Sequence, residues 1–191
     1  MTDAPPSLDT PRLHLRLVTP EDAEVTSAMI TPAVSRWLGY WPVPFTTAMA
    51  RDRIATARAL AEAGQALSLA VTARGDGELL GWIMLHRTRE EPRTATLGYW
   101  LGEAHQRRGY LREAAAALLP IAVAWLDLDR IEASAQPENA ASVAVMRALG
   151  MTFRREAVMH APARGRDERV HVYGVDRESL SPAPPPGSAR R

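Results

Sequence analysis

Between Leu97 and Ala114 the chain changes its hydrophobic period once, and that change limits the possible folds more than any other feature. Leu97-Gly98-Tyr99-Trp100-Leu101 has the composition of a buried strand. Gly102-Glu103-Ala104-His105-Gln106-Arg107-Arg108-Gly109 is a polar loop, and the Ala/Leu-rich stretch from Arg112 to Leu126 predicts a helix. A strand that feeds a helix through such a loop leaves the first helical amides unpaired, at the end where the macrodipole favours negative charge. Gly109 removes a side chain where an anion would approach the backbone, and Arg107, Arg108 and Arg112 can add charge-assisted contacts. The same residues suit an ordinary helix start with solvated arginines, so spacing alone leaves both readings open.

The rest of the chain alternates in the same way. Leu13, Leu15 and Leu17 alternate with His14, Arg16 and Val18, predicting a strand. Thr19-Pro20 followed by Glu21, Asp22 and Glu24 predicts a short helix that stops before Thr31-Pro32. The aromatic run Arg36-Trp37-Leu38-Gly39-Tyr40-Trp41-Pro42 predicts a turn or loop, and Thr46 to Ala63 a helix ended by Gly64. Ala66–Thr72 and Leu79–Leu85 read as a hairpin around Arg74-Gly75-Asp76-Gly77, with the next strand over Arg93–Leu101. Downstream, a strand over Arg130–Ala135, a helix over Glu138–Leu149 and strands over Thr152–Val158 and Glu168–Asp176 follow, the last two forming a long hairpin. Together these predict a mixed α/β sheet, part antiparallel and part parallel, flanked by helices.

At 191 residues one domain is expected, with residues 1–10 a flexible N-terminus, 11–180 the folded unit and 181–191 a disordered Pro-rich tail. Twenty-three basic and 22 acidic side chains give a net charge of +1, so no global field draws the chain to nucleic acid or an anionic membrane. Arg154-Arg155 and Arg164-Gly165-Arg166 are interrupted by Glu156, Asp167 and Glu168, and no recognition module accompanies them. The absence of cysteine removes disulfides, thiolate metal sites and a cysteine nucleophile, and the five histidines lack metal-ligand spacing, so no metal is expected. Without an apolar leader or spanning stretch, the expected location is cytoplasmic.

Gln106-Arg107-Arg108-Gly109-Tyr110-Leu111 resembles the pyrophosphate loop of GNAT acetyltransferases, written Q/R-x-x-G-x-G/A, and the preceding Gly-Tyr-Trp-Leu strengthens the match. Asn139-Ala140-Ala141-Ser142 followed by Leu149-Gly150-Met151 is similar to the family's N-x-x-S helix ending in Leu-Gly-Phe, with methionine in place of phenylalanine. Thr10-Pro11-Arg12-Leu13 is similar to the opening of the group that acetylates ribosomal-protein N-termini. The resemblance spans Thr10 to Val175. It implies a splayed sheet of six or seven strands, with the strand through Trp100 and Leu101 parting from its neighbour to admit the pantetheine of acetyl-CoA. It further implies that Gln106, Arg107, Arg108, Gly109, Tyr110 and Leu111 bind the diphosphate, and that Asn139 holds the pantetheine arm or the loop around it. Leu111 departs from the pattern, standing where the family prefers Gly or Ala.

The implied reaction moves an acetyl group to a primary amine, on a protein N-terminus or a small molecule, by direct attack in a ternary complex. The amine must lose a proton and the leaving thiolate must gain a donor. Ser142 is the candidate donor, although a serine in a helix also bonds readily to a carbonyl one turn back. The glutamate that many members carry two residues before the Gly-Tyr-Trp glycine is Thr96 here, so no carboxylate base is expected from that strand, and a water chain would substitute. Glu103 and His105 are expected in a solvated loop, while Tyr40, Trp41 and Tyr99 suit either an acceptor wall or core packing. A CoA-binding sensor module without turnover is the alternative that Thr96 and Leu111 raise. Monomer and homodimer are both compatible with this reading.

Overall fold

The computed structural model describes residues 5–180, so the expected tail at 181–191 lies outside the described residues. One sheet of eight strands forms its centre, in the order β1-β2-β3-β4-β5-β6-β8-β7. The strands are β1 (Leu8–Asp9), β2 (Leu13–Leu17), β3 (Ala66–Ala73), β4 (Leu79–Arg87), β5 (Thr94–Leu101), β6 (Arg130–Ala135), β7 (Thr152–Ala161) and β8 (Arg166–Asp176). All neighbours are antiparallel except β5 and β6, which are joined by a helical crossover and run parallel. The count exceeds the six or seven expected because of β1. Leu8 and Asp9 pair with Leu15 and His14, so a sheet strand lies upstream of residue 11. A two-residue strand carries no periodicity by which a sequence could announce it.

Each face of the sheet is covered by its own helices. On one, α4 (Tyr110–Trp125) and α5 (Ala140–Ala148) cover Leu13, Leu15, Leu67, Leu69, Ile83, Leu85, Leu97 and Ile131. Met151, which replaces the family's phenylalanine, is buried in the same cluster. On the other, α1 (Ala23–Met29), the single turn α2 (Pro32–Ser35) and α3 (Thr47–Glu62) cover Ala70, Trp82, Met84 and Trp100. α3 does so through Ala50, Ile54 and Ala57, which lie at three- and four-residue spacing. Thr46 caps it by accepting from the Met49 N–H.

Two junctions show how local residues hold this arrangement. Pro20–Asp22 forms a 3-10 turn, and the Asp22 carboxylate, 5 % exposed, accepts from the Thr19 N–H at 2.8 Å and from both terminal nitrogens of Arg16 at 2.8 and 2.7 Å. Asp22 thus ties the end of β2 to the start of α1, beyond the helix-end charge that its position predicts. In β4, an added Cβ at Gly81 would meet the Trp100 carbonyl at 2.1 Å, so only glycine lets β4 and β5 approach this closely. Among the described residues no helix is long and apolar enough to cross a membrane.

Candidate functional site

β5 and β6 pair only through Thr94–Arg130, Ala95–Ile131 and Thr96–Glu132, and then part. β5 remains bonded to β4 as far as Leu101, and β6 to β8 as far as Ala135. The gap between them is therefore lined by strand backbone that has lost a partner. Hydrogen bonds at both ends of β5 fix which residues face it. The Arg93 carbonyl accepts from Asp129 and Arg130 on the β6 side, whereas the Thr94 carbonyl accepts from Thr88, and the Gly102 N–H donates to Leu80 on the β4 side. Alternation spends the Leu97 N–H on the Thr96–Glu132 pair and turns the Leu97 carbonyl and the backbone groups of Tyr99 and Leu101 into the gap. Trp100, expected beside Leu101 in this role, turns its backbone to β4 and its ring into the aromatic core with Trp41 and Trp82. Gln106 spans the end of β5 by donating from Nε2 to the Leu101 carbonyl at 3.0 Å.

The loop that follows delivers the helix start expected from sequence. Arg107 and Gly109 both lie in the left-handed region, at φ +62° and +78°, and Gly109 is the N-cap of α4. The nearest atom to an added Cβ at Gly109 would be an Arg12 nitrogen at 3.6 Å, so backbone conformation rather than space calls for glycine here. The first bond within α4 runs from the Glu113 N–H to the Gly109 carbonyl, leaving the Tyr110, Leu111 and Arg112 amides free. Arg107, Arg108 and Arg112 are exposed, and none pairs with a carboxylate among the described residues. Leu111 is half-buried and packs against the core cluster on the α4/α5 side of the sheet.

One contact set here has no local sequence signal. Glu113, the acidic residue of the first turn, accepts from Thr10 Oγ1 at 2.6 Å, from the Arg12 N–H at 3.0 Å and from Arg12 Nε at 2.6 Å. Burial pushes its carboxyl up, but the Thr10 and Arg12 hydrogen bonds outweigh this and hold it below the ordinary range. Arg12 also donates to the Arg108 carbonyl at 3.0 Å and lies over the Tyr110 ring. The opening Thr-Pro-Arg segment is thus a buckle on the loop, a hundred residues away in sequence.

α5 brings Asn139 and Ser142 to the same region. Asn139 Oδ1 caps the helix by accepting from the Ser142 N–H at 3.2 Å. Ser142 Oγ lies 2.8 Å from the Tyr99 hydroxyl, which also donates to the Ser142 carbonyl at 3.2 Å. The hydroxyl partner is therefore Tyr99 on β5. Burial pushes the Tyr99 phenol up to about 12, with the Ser142 hydrogen bond acting weakly in the other direction, so it stays protonated. Tyr99 sits on the α4/α5 side of the sheet, opposite the aromatic cluster that includes Trp41. Tyr40 is 58 % exposed and Trp41 is core. His105, expected in a solvated loop, is buried beside Gly102, whereas Glu103 is exposed and accepts from Thr31 Oγ1.

On the α1/α3 face a cavity of about 390 Å³ opens between α3 and strands β3 and β4, bounded by Phe45, Arg53, Ser68, Trp82, Met84 and His86. His86 pairs in register with Thr96, the last β5 residue in register with β6, and Met84 pairs with Gly98. With strands about 4.8 Å apart, the cavity floor lies one strand from the point where the gap opens. His86 is exposed at the edge of the cavity, where desolvation of its ring and then the charge of Arg53 hold the imidazole below the usual range, hence neutral at pH 7. Sequence reading singled out neither His86 nor Arg53. Each is a lone residue with no motif, and only register and packing bring them together.

The comparisons with known proteins agree with this geometry. A family profile described as acetyltransferase (GNAT) domain matches residues 12–152. The chain is 30 % identical over 169 residues to the N-acetyltransferase p20 of Bacillus licheniformis, covering 87 % of this chain and 93 % of the relative. It is 30 % identical over 173 residues to the N-acetyltransferase YoaA of Bacillus subtilis (strain 168), covering 89 % and 96 %. Among solved structures, Mycobacterium smegmatis RimJ in complex with CoA-disulfide superposes with a TM-score of 0.77 at 24 % identity, over 88 % of this chain and 83 % of the other, a likeness of fold.

Proposed function

The chain belongs to the GNAT acetyltransferase family and is an acetyl-CoA-dependent N-acetyltransferase, and from that premise we propose that it acetylates a primary amine by direct attack in a ternary complex. The observation that carries this reading is the parting of β5 from β6 directly before a loop and helix start with free amides. The gap-facing backbone of Leu97, Tyr99 and Leu101 suits an extended amide-containing arm, with Asn139 holding the helix beside it. The α4 amides and Arg107, Arg108 and Arg112, which pair with no carboxylate among the described residues, suit a diphosphate, with Gln106 tying the end of β5 beside them. Bound there, acetyl-CoA supplies a thioester carbonyl as electrophile and a thiolate as leaving group.

The chain's own residues supply the proton transfers. His86, neutral and one strand from the gap, takes a proton from the ammonium, a role left without a carboxylate by Thr96. Ser142 donates toward the departing sulfur, with the Tyr99 hydroxyl 2.8 Å away to hold the serine oxygen in place. The amide N–H groups of Tyr99 and Leu101 are the donors on β5 available to a developing oxyanion. The packing of Leu111 against the core supports reading the loop as a diphosphate site despite its bulk. The acceptor is read as a protein N-terminus or a small-molecule amine. The test is thiol release from acetyl-CoA across a panel of primary amines, with Ser142→Ala alongside. Amine-dependent release that falls roughly tenfold to a hundredfold in the variant supports the reading. Release that no amine accelerates contradicts it.

A further inference from the structure

Among the described residues only two buried side-chain polar atoms lack a hydrogen-bond partner, Arg53 Nε and Trp100 Nε1. Both belong to the cluster around Trp41, whose ring lies 4.3 Å beneath the Arg53 guanidinium and 5.3 Å from Trp100. Buried donors normally find acceptors, so two orphans beside one ring mark a place where donors outnumber acceptors. Arg53 adds a full charge to that excess. Its Nη2 donates to the Tyr40 carbonyl at 2.7 Å, its ring contacts are Trp41 and Phe45, and no carboxylate pairs with it among the described residues. Asp52 stands at the exposed rim of the same cavity and forms no ion pair with it.

A guanidinium kept partly dry and unneutralised costs stability unless a ligand repays it. Burial holds its pKa down while leaving it charged at neutral pH, consistent with the absence of an acid partner. The cation–π contact with Trp41 fixes the group in place, so it reaches the cavity preorganised. That cavity also holds His86 and adjoins the start of the β5–β6 gap. We propose that the cavity between α3 and β4 is the acceptor pocket and that Arg53 selects amines carrying a carboxylate a few atoms from the reacting nitrogen. This rests on the acetyl-transfer reading above and specifies its substrate class. Free amino acids and peptides with Asp or Glu near the N-terminus share this chemistry.

The experiment compares matched acceptors, with and without the charge. One arm uses ω-amino acids of increasing length against their amides, and the other uses N-terminal Asp and Glu peptides against their Asn and Gln counterparts. For the wild-type protein, kcat/KM is expected to favour the carboxylate member roughly tenfold to a hundredfold in at least one arm, and the preferred arm identifies the source. Arg53→Met keeps the stem over Trp41 and removes the charge, so the ratio should collapse toward one, with Arg53→Lys between. Intrinsic tryptophan fluorescence, titrated with the same acceptors without acetyl-CoA, gives a binding readout independent of turnover, and the carboxylate members alone should perturb it. Equal kcat/KM within every pair in the wild type overturns the proposal, and if Arg53→Met does not fold, the wild-type ratios and Arg53→Lys still decide. Transfer to amides and carboxylates alike sinks only this inference, whereas transfer to no amine sinks the acetyl-transfer reading itself.

Discussion

His86 and Ser142 lie on opposite faces of the sheet, and a separation of proton acceptor from donor is what attack from one side and departure from the other requires. Because the His86 imidazole titrates below its usual range, it is deprotonated at neutral pH and becomes protonated only in acid. Its service as a base is therefore complete near pH 7 and lost as pH falls through that lowered value. Arg53 and Asp52 are the charged groups that share the cavity, and Arg53 acts to lower the imidazole further. His86→Gln should reduce kcat about a hundredfold at pH 7 and remove the acidic limb of the kcat profile. A variant that keeps that limb would assign it to another group. Tyr99, at about 12, contributes no alkaline limb below that pH.

At the scale of elements, the loop before α4 depends on a residue read from sequence as an obstacle. Leu111 occupies a position that the family keeps small, but the left-handed Gly109 turns the chain so that Leu111 faces the core. Leu111→Ala is accordingly expected to lower stability by roughly 1–2 kcal/mol, as a partly buried leucine lost from the core, without tightening acetyl-CoA binding. Denaturant unfolding together with calorimetric titration measures both, and a gain in affinity would show that Leu111 crowds the site. The strand–loop–helix order and the helix that carries Asn139 and Ser142 were legible because each rests on local composition and spacing. The Arg12–Glu113 buckle, the register that sets His86 beside Thr96 and the turning of Trp100 away from the gap were not. They are contacts between distant segments, and period-two patterns do not say where one strand parts from another.

Across the whole molecule, stability and function draw on different charges. The Arg16–Asp22 pair closes the junction between β2 and α1, far in sequence from the loop before α4. Burial pushes the Asp22 carboxyl up, but hydrogen bonds from Arg16 and Thr19 more than offset this and hold it below the ordinary aspartate range. A depressed folded-state value contributes stability that is present above the unfolded pKa, near 3.9, and is lost as pH falls through the folded value. The unfolding free energy should therefore decline below about pH 4, and Asp22→Asn should cost roughly 1–3 kcal/mol at pH 7 and flatten that decline. An unchanged pH profile in the variant would place the acid sensitivity elsewhere. The central claim, direct transfer from acetyl-CoA to an amine across the β5–β6 gap, is tested most directly by mass spectrometry of the products after incubation with acetyl-CoA labelled in its acetyl group. Label on the amine nitrogen, with none on the protein at any time, is the predicted result. Label trapped on a side chain of the chain, or remaining on CoA with every amine offered, would contradict it.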